Sequence, residues 1–76
     1  MMKNNTTFGI LKSSDGGIYQ GFYLKNSQVF HGFGKITYPD KETYEGNWIN
    51  GKRTGYGVMV MSNGKKWAAK ILSLPD

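Results

Sequence analysis

The sequence predicts an all-β protein: a single meandering antiparallel sheet of about six strands, open and curved, made of stacked β-hairpins. Three observations predict it. First, glycines and rings recur together. Gly9, Gly34 and Gly57 each follow an aromatic residue (Phe8, Phe33, Tyr56). Seven residues after each glycine comes a turn position, Gly16, Lys41 or Gly64, and three residues beyond it another ring, Tyr19, Tyr44 or Trp67. Second, the period is 25 residues from Tyr19 to Tyr44 and 23 from Tyr44 to Trp67, the length of one small supersecondary unit. Third, strand-like alternation around the glycines is interrupted by Asn50-Gly51 and by Ser14-Asp15-Gly16, Pro39-Asp40-Lys41 and Ser62-Asn63-Gly64, residue types that turn the chain or tolerate positive φ.

Taken in order, residues 1–7 carry no pattern and are expected to be a flexible lead. Residues 8–18 are a partial unit, with Phe8-Gly9-Ile10-Leu11-Lys12 as the second half of a hairpin. The first full unit, 19–43, opens with Tyr19-Gln20-Gly21-Phe22-Tyr23 and resumes at Gly32-Phe33-Gly34, with Leu24 to His31 as the link. The second, 44–66, opens with Tyr44-Glu45-Gly46-Asn47-Trp48 and resumes at Gly55-Tyr56-Gly57 after a shorter link, Ile49 to Thr54. Alternation places Tyr44, Gly46 and Trp48 on one face; in the next strand Gly55, Gly57, Met59 and Met61 share a face opposite Tyr56, Val58 and Val60. Residues 67–71, Trp67-Ala68-Ala69-Lys70-Ile71, are a first half only, with Ala69 at the glycine position and Ile71 at that of the second ring. Such atypical end units act as caps. The tail, 72–76, adds Leu72-Ser73-Leu74, expected to fold back over the sheet end or to pair with a second copy.

Gly21, Gly32, Gly34, Gly46, Gly51, Gly55, Gly57 and Gly64 define the repeat. Glycine weakens a strand unless something needs the space; a ring lying across a strand glycine is one such need. Stacked hairpins are therefore expected to align Tyr19, Tyr23, Tyr44 and Trp48, each neighbouring pair adding roughly 0.5–1.5 kcal/mol beyond burial.

At 76 residues the chain is one domain, burying only about 60% of the surface its unfolded form exposes. It has no cysteine, which removes disulfides and thiolate chemistry and favours a reducing compartment. The first residues lack the apolar stretch of a signal peptide, and no run reaches transmembrane length. The expectation is an intracellular protein. The net charge of +5 is uneven, with Lys52, Arg53, Lys65, Lys66 and Lys70 in the last third. These residues are the candidate contacts to an anionic surface. Lys52-Arg53 and Lys65-Lys66 follow turns at opposite edges, which argues against one focused phosphate site.

Chemistry-bearing constellations are absent from the sequence. His31 is the single histidine, and one histidine does not build a typical zinc site. Asp15, Asp40, Glu42 and Glu45 fall in or near turns, where Asp is favoured for turn formation. Gly32-Phe33-Gly34-Lys35-Ile36-Thr37 fails as a phosphate loop, because its spacer is wrong and no helix follows; Gly55-Tyr56-Gly57 fails as a dinucleotide fingerprint. No cofactor, metal or catalytic residue is expected.

The segment from Tyr44 to Gly57 resembles the MORN (membrane occupation and recognition nexus) repeat: tyrosine, glycine and aromatic at alternate positions, then Gly51-Lys52, then Gly55-Tyr56-Gly57. The first full unit is similar but lacks the central Gly-Lys, having Gln28-Val29 in a longer link. The resemblance extends over roughly Phe8 to Ile71. It implies an elongated sheet of hairpins used for interaction or scaffolding, in cytoskeletal or membrane-linked assemblies. The expected partner is another protein, held by the ring-bearing face (Tyr19, Tyr23, Tyr44, Trp48, Trp67) or by an open edge. Dimerisation through the strand from Trp67 to Leu74 is a further expectation. The alternative is a peripheral membrane module reading anionic lipid with the basic end; nucleic acid is a weaker fit.

Overall fold

Three copies of one turn set the register of the sheet. Ser13 N–H donates to Gly17 O at 2.7 Å and Gly16 N–H to Ser13 O at 3.0 Å; Tyr38 and Lys41 repeat the pattern at 2.8 and 2.9 Å, and Met61 and Gly64 at 2.8 and 2.8 Å. Each copy also carries a side-chain clasp. The Oδ1 of Asp15, Asp40 and Asn63 accepts from the backbone N–H two residues on, at 3.0, 2.9 and 3.0 Å. This is the Asx turn that the sequence places there. At Asp15 the Ser13 side chain and the Gly17 N–H stabilise the carboxylate and hold its pKa below the ordinary value.

The computed structural model describes residues 5–71. They form β1 (Thr6–Lys12), β2 (Ile18–Leu24), β3 (Phe30–Thr37), β4 (Thr43–Ile49), β5 (Lys52–Val60) and β6 (Lys66–Ile71). The strands make one six-stranded sheet in chain order, β1-β2-β3-β4-β5-β6. Every pairing is antiparallel. The expected fold-back of Leu72-Ser73-Leu74 lies outside the described residues, as does the flexibility expected before Asn5. Thr6 and Thr7, also expected to be flexible, are part of β1 and pair with Leu24 and Tyr23.

Between β4 and β5 the chain reverses through Asn50-Gly51 alone, both with positive φ (51° and 83°), the tight hairpin geometry this dipeptide favours. Both links are shorter than expected. Phe30 and His31 belong to β3 and Lys52 to Thr54 belong to β5, because their backbones pair with the facing strand rather than loop out. Gly55 is also displaced from its expected place. Asn47 pairs with Thr54 and Gly46 with Gly57, so Gly55 and Tyr56 form a bulge, with Gly55 at φ 69°. Glycine allows that conformation without steric cost.

Register creates two ladders that cross the whole sheet. Leu11, Tyr19, Ile36, Tyr44, Met59 and Trp67 are successive partners; beside them run Gly9, Gly21, Gly34, Gly46, Gly57 and Ala69. The buried core is small: Tyr19, Ile36, Tyr44 and Trp48. All four lie on the face that carries these ladders, called here the inner face.

Lys41 occupies the turn position held by Gly16 and Gly64 in the other copies, with φ 74°. A side chain in that conformation costs on the order of 1 kcal/mol. Lys41→Gly is therefore expected to raise stability by about 1 kcal/mol, read as a higher urea midpoint at unchanged slope.

Candidate interaction surface

On the inner face two of the glycines make room for rings. A Cβ on Gly34 would clash with the Tyr19 ring and hydroxyl, and one on Gly57 with those of Tyr44. Each tyrosine thus lies across the glycine of the strand that follows it, and both are 0% exposed. Trp48 is 5% exposed and packs edge-on between them, 5.6 Å from Tyr19 and 5.4 Å from Tyr44. Its Nε1–H donates to Gly34 O at 3.2 Å.

The two hairpins fill the space above their tyrosines differently. In the first, Phe30 stacks flat on Tyr19 with centroids 3.8 Å apart and planes at 6°. In the second, the guanidinium of Arg53 lies 4.5 Å from the Tyr44 centroid and 5.8 Å from that of Trp48. Its Nη2 donates to Tyr38 Oη at 2.6 Å. Register makes the two residues equivalent, since Phe30 pairs with Tyr23 and Arg53 with Trp48. The sequence reading missed Phe30 by leaving it in the link, and treated Arg53 as a surface charge. The signal was the spacing back from the second hairpin strand: Phe30 precedes Gly34 by four residues, as Arg53 precedes Gly57.

The two tyrosine hydroxyls also differ. Tyr19 Oη donates to Phe22 O at 2.6 Å, and burial pushes its pKa up to about 12. Tyr44 Oη is buried with no hydrogen-bond partner among the described residues. Burial raises its pKa too, with Arg53 acting in the opposite direction.

Of the candidate partner-binding rings, Tyr19, Tyr44 and Trp48 are enclosed, Tyr23 is half-buried, and Trp67 is 58% exposed at the sheet edge. The basic candidates are dispersed. Lys52 and Arg53 open β5, while Lys65 and Lys66 lie at its far end, on the order of 30 Å along the strand. Arg53 belongs to the inner face. Lys66 and Lys70 pair with Val60 and Tyr56 on the other face, where Lys70 Nζ lies 5.7 Å from the Tyr56 centroid. His31 has a structural contact: its Nδ1 accepts from Asn50 N–H at 3.1 Å.

The outer face holds the apolar surface that the sequence reading did not single out. Among the described residues, eight of the nine exposed large hydrophobics lie there, all except Trp67. Phe8 and Phe22 meet edge-to-face at 5.2 Å. Phe33, Tyr56, Val58 and Ala68 wall an open hollow of about 230 Å³ with Glu45 at its side and Gly46 and Gly57 in its floor. Lys12, Lys35, Lys66 and Lys70 occupy outer-face positions around these residues. The signal was present in the sequence: Phe8, Phe33 and Tyr56 each adjoin an inner-face glycine, so alternation turns them outward.

Comparison with family models matches the MORN repeat at residues 29–43 and 44–66, half of the chain. The chain belongs to the MORN-repeat family. MORN repeats are non-catalytic modules that act in protein–protein or membrane–lipid interactions. Comparison with curated proteins finds no match. Among the described residues no helix is long and apolar enough to cross a membrane, and no cluster of three or more His, Cys, Asp or Glu is placed to hold a metal ion.

Arg53→Ala is expected to cost about 1–2 kcal/mol, because the Tyr44 ring loses its cation and Tyr38 its donor. Arg53→Phe, which copies the first hairpin, is expected to recover most of that loss; urea midpoints of the two variants decide it. A second expectation concerns alkaline pH. The unfolded chain releases the Tyr19 proton near pH 10, whereas the folded chain holds it to about 12. Stability tied to this group is complete below pH 10 and is lost between about 10 and 12. The fall in urea midpoint across that window is expected to be shallower in Tyr19→Phe.

Proposed function

We propose that this MORN protein is a non-catalytic docking module that binds another protein through its outer face. One observation carries this reading: the exposed apolar side chains gather on a single face and are flanked there by lysines. Apolar residues scattered singly need no explanation, but a contiguous set rimmed by charge favours a partner. The partner chemistry follows from the rim. With a net charge of +5 and Glu45 as the acid beside the hollow, the complementary surface is an apolar centre bordered by carboxylates. Phe33 and Tyr56 are the anchors, large rings at the mouth of the hollow.

The same arrangement also fits an anionic membrane, where each lysine contributes about 1 kcal/mol. Lys66 and Lys70 lying on the same face as Tyr56 is the observation that favours this second reading.

The test combines capture and flotation. The Phe33→Ser/Tyr56→Ser double variant, with its fold checked by amide dispersion, is expected to lose a protein partner retained by Trp67→Ser, with affinity falling at least about tenfold. A partner retained by the double variant overturns the outer-face reading. Flotation with phosphatidylserine vesicles at low salt, abolished at high salt and accompanied by no partner loss in the double variant, favours the membrane instead.

A further inference from the structure

The two edge strands are the two halves of one hairpin unit. In complete units a first-half strand (β2 or β4) carries the ring and the second-half strand after it (β3 or β5) carries the glycine beneath it. Among the described residues β6 is a first-half strand with a ring but no second-half strand after it, and β1 is a second-half strand with a glycine but no first-half strand before it. Burial records both vacancies. Trp67 is 58% exposed, whereas its counterparts Tyr19 and Tyr44 are 0% exposed. Gly9 is half-buried, whereas Gly34 and Gly57 are buried. The three atoms nearest a Cβ built on Gly9 all belong to Tyr23 of β2, at 3.1 to 3.7 Å, so the ring nearest Gly9 comes from the strand after it and not from one before it. Leu11, the counterpart of Ile36 and Met59 in the apolar ladder, pairs with Tyr19 of β2 but likewise has no first-half strand before it among the described residues.

We propose that β6 of one copy pairs with β1 of a second copy, completing a hairpin unit across two molecules, with Trp67 lying across the next copy's Gly9.

The internal units fix the register. Tyr19 faces Ile36 while Gly21 faces Gly34, and Tyr44 faces Met59 while Gly46 faces Gly57. Carried onto the edges, this sets Trp67 opposite Leu11 of the next copy, Ala69 opposite Gly9, Ala68 opposite Ile10 and Lys66 opposite Lys12. A paired edge would satisfy the outward backbone groups of both strands. The contact is head-to-tail: each copy offers one ring and one seat, so it propagates and does not close as a symmetric dimer. Lys66 facing Lys12, together with the basic charge of each copy, opposes the contact at low ionic strength. Association therefore strengthens as salt is raised, opposite to the salt response of an anionic membrane site. This contact uses the sheet edges and leaves the outer face free.

Cysteine crosslinking tests it, because the chain has no cysteine of its own and both chosen positions are exposed. Residues directly opposite in an antiparallel pair have Cα atoms about 4.5–5.5 Å apart, within disulfide reach. A mixture of Ile10→Cys and Ala68→Cys copies, oxidised in ~0.5 M salt, is expected to give chiefly the mixed dimer. Complementation follows by sedimentation. Trp67→Ser and Gly9→Val are each expected to stay monomeric, and their mixture to form a two-copy species and nothing larger. Ala68→Cys crosslinking preferentially to itself overturns the proposal in favour of symmetric β6 pairing. A wild type that keeps the mass of one chain, 8.5 kDa, up to ~1 mM overturns it altogether.

Discussion

The ring lying across the glycine of the next strand is the contact from which the rest of this sheet follows. It accounts for Gly34 and Gly57, and the facing Gly21 and Gly46 are held to glycine in turn, because a Cβ on either would meet a tyrosine hydroxyl and the Cα of the glycine opposite. Any larger residue at Gly34 or Gly57 would occupy the volume of a tyrosine ring. It also fixes register. A slip by one residue would turn every ring to the opposite face and every glycine away from its ring. Among the described residues four hydrophobic side chains are buried and no second layer covers the sheet, so it depends on this lateral interlocking. Trp48 and Phe30 then knit neighbouring units together, each ring touching more than one strand.

Much of this was legible in the sequence because its signals are local and repeated. The Asx turns, the Asn50-Gly51 reversal and the placing of Tyr44, Gly46 and Trp48 on one face each depend on a few adjacent residues. What escaped the reading depends on pairing between strands. Phe30 lies in a segment whose length differs from its counterpart, so alignment on the glycines alone left it in a loop. Arg53 reads as a charge in a basic pair; only its position opposite Trp48 reveals that it lies over Tyr44. The bulge at Gly55 and Tyr56 is a mismatch in count between two strands, and one strand alone does not contain it. The candidate rings were legible as rings but not as enclosed ones, since burial depends on which face collects Phe30, Ile36 and Met59.

A single-layer sheet divides its tasks by face. The inner face uses its rings for cohesion. The outer face is free of that duty and carries Phe33, Tyr56 and Val58 to the surface. The array thus resembles other quasi-one-dimensional repeats, whose stability resides in neighbour contacts while a continuous surface faces outward.

The links at the two sides of the sheet are not alike. On one side three turns keep the same length and the same clasp. On the other, the first hairpin crosses through residues 25–29 while the second crosses through Asn50-Gly51 alone. The longer crossing closes by its own backbone bonds, Leu24 N–H to Val29 O and Gln28 N–H to Leu24 O, and leaves the glycine ladder undisturbed. Because loop closure costs only about 0.6 kcal/mol for each doubling of length, that side tolerates grafted sequence. A foreign peptide could be displayed there without altering the spacing of the strands, and change over evolutionary time has the same latitude.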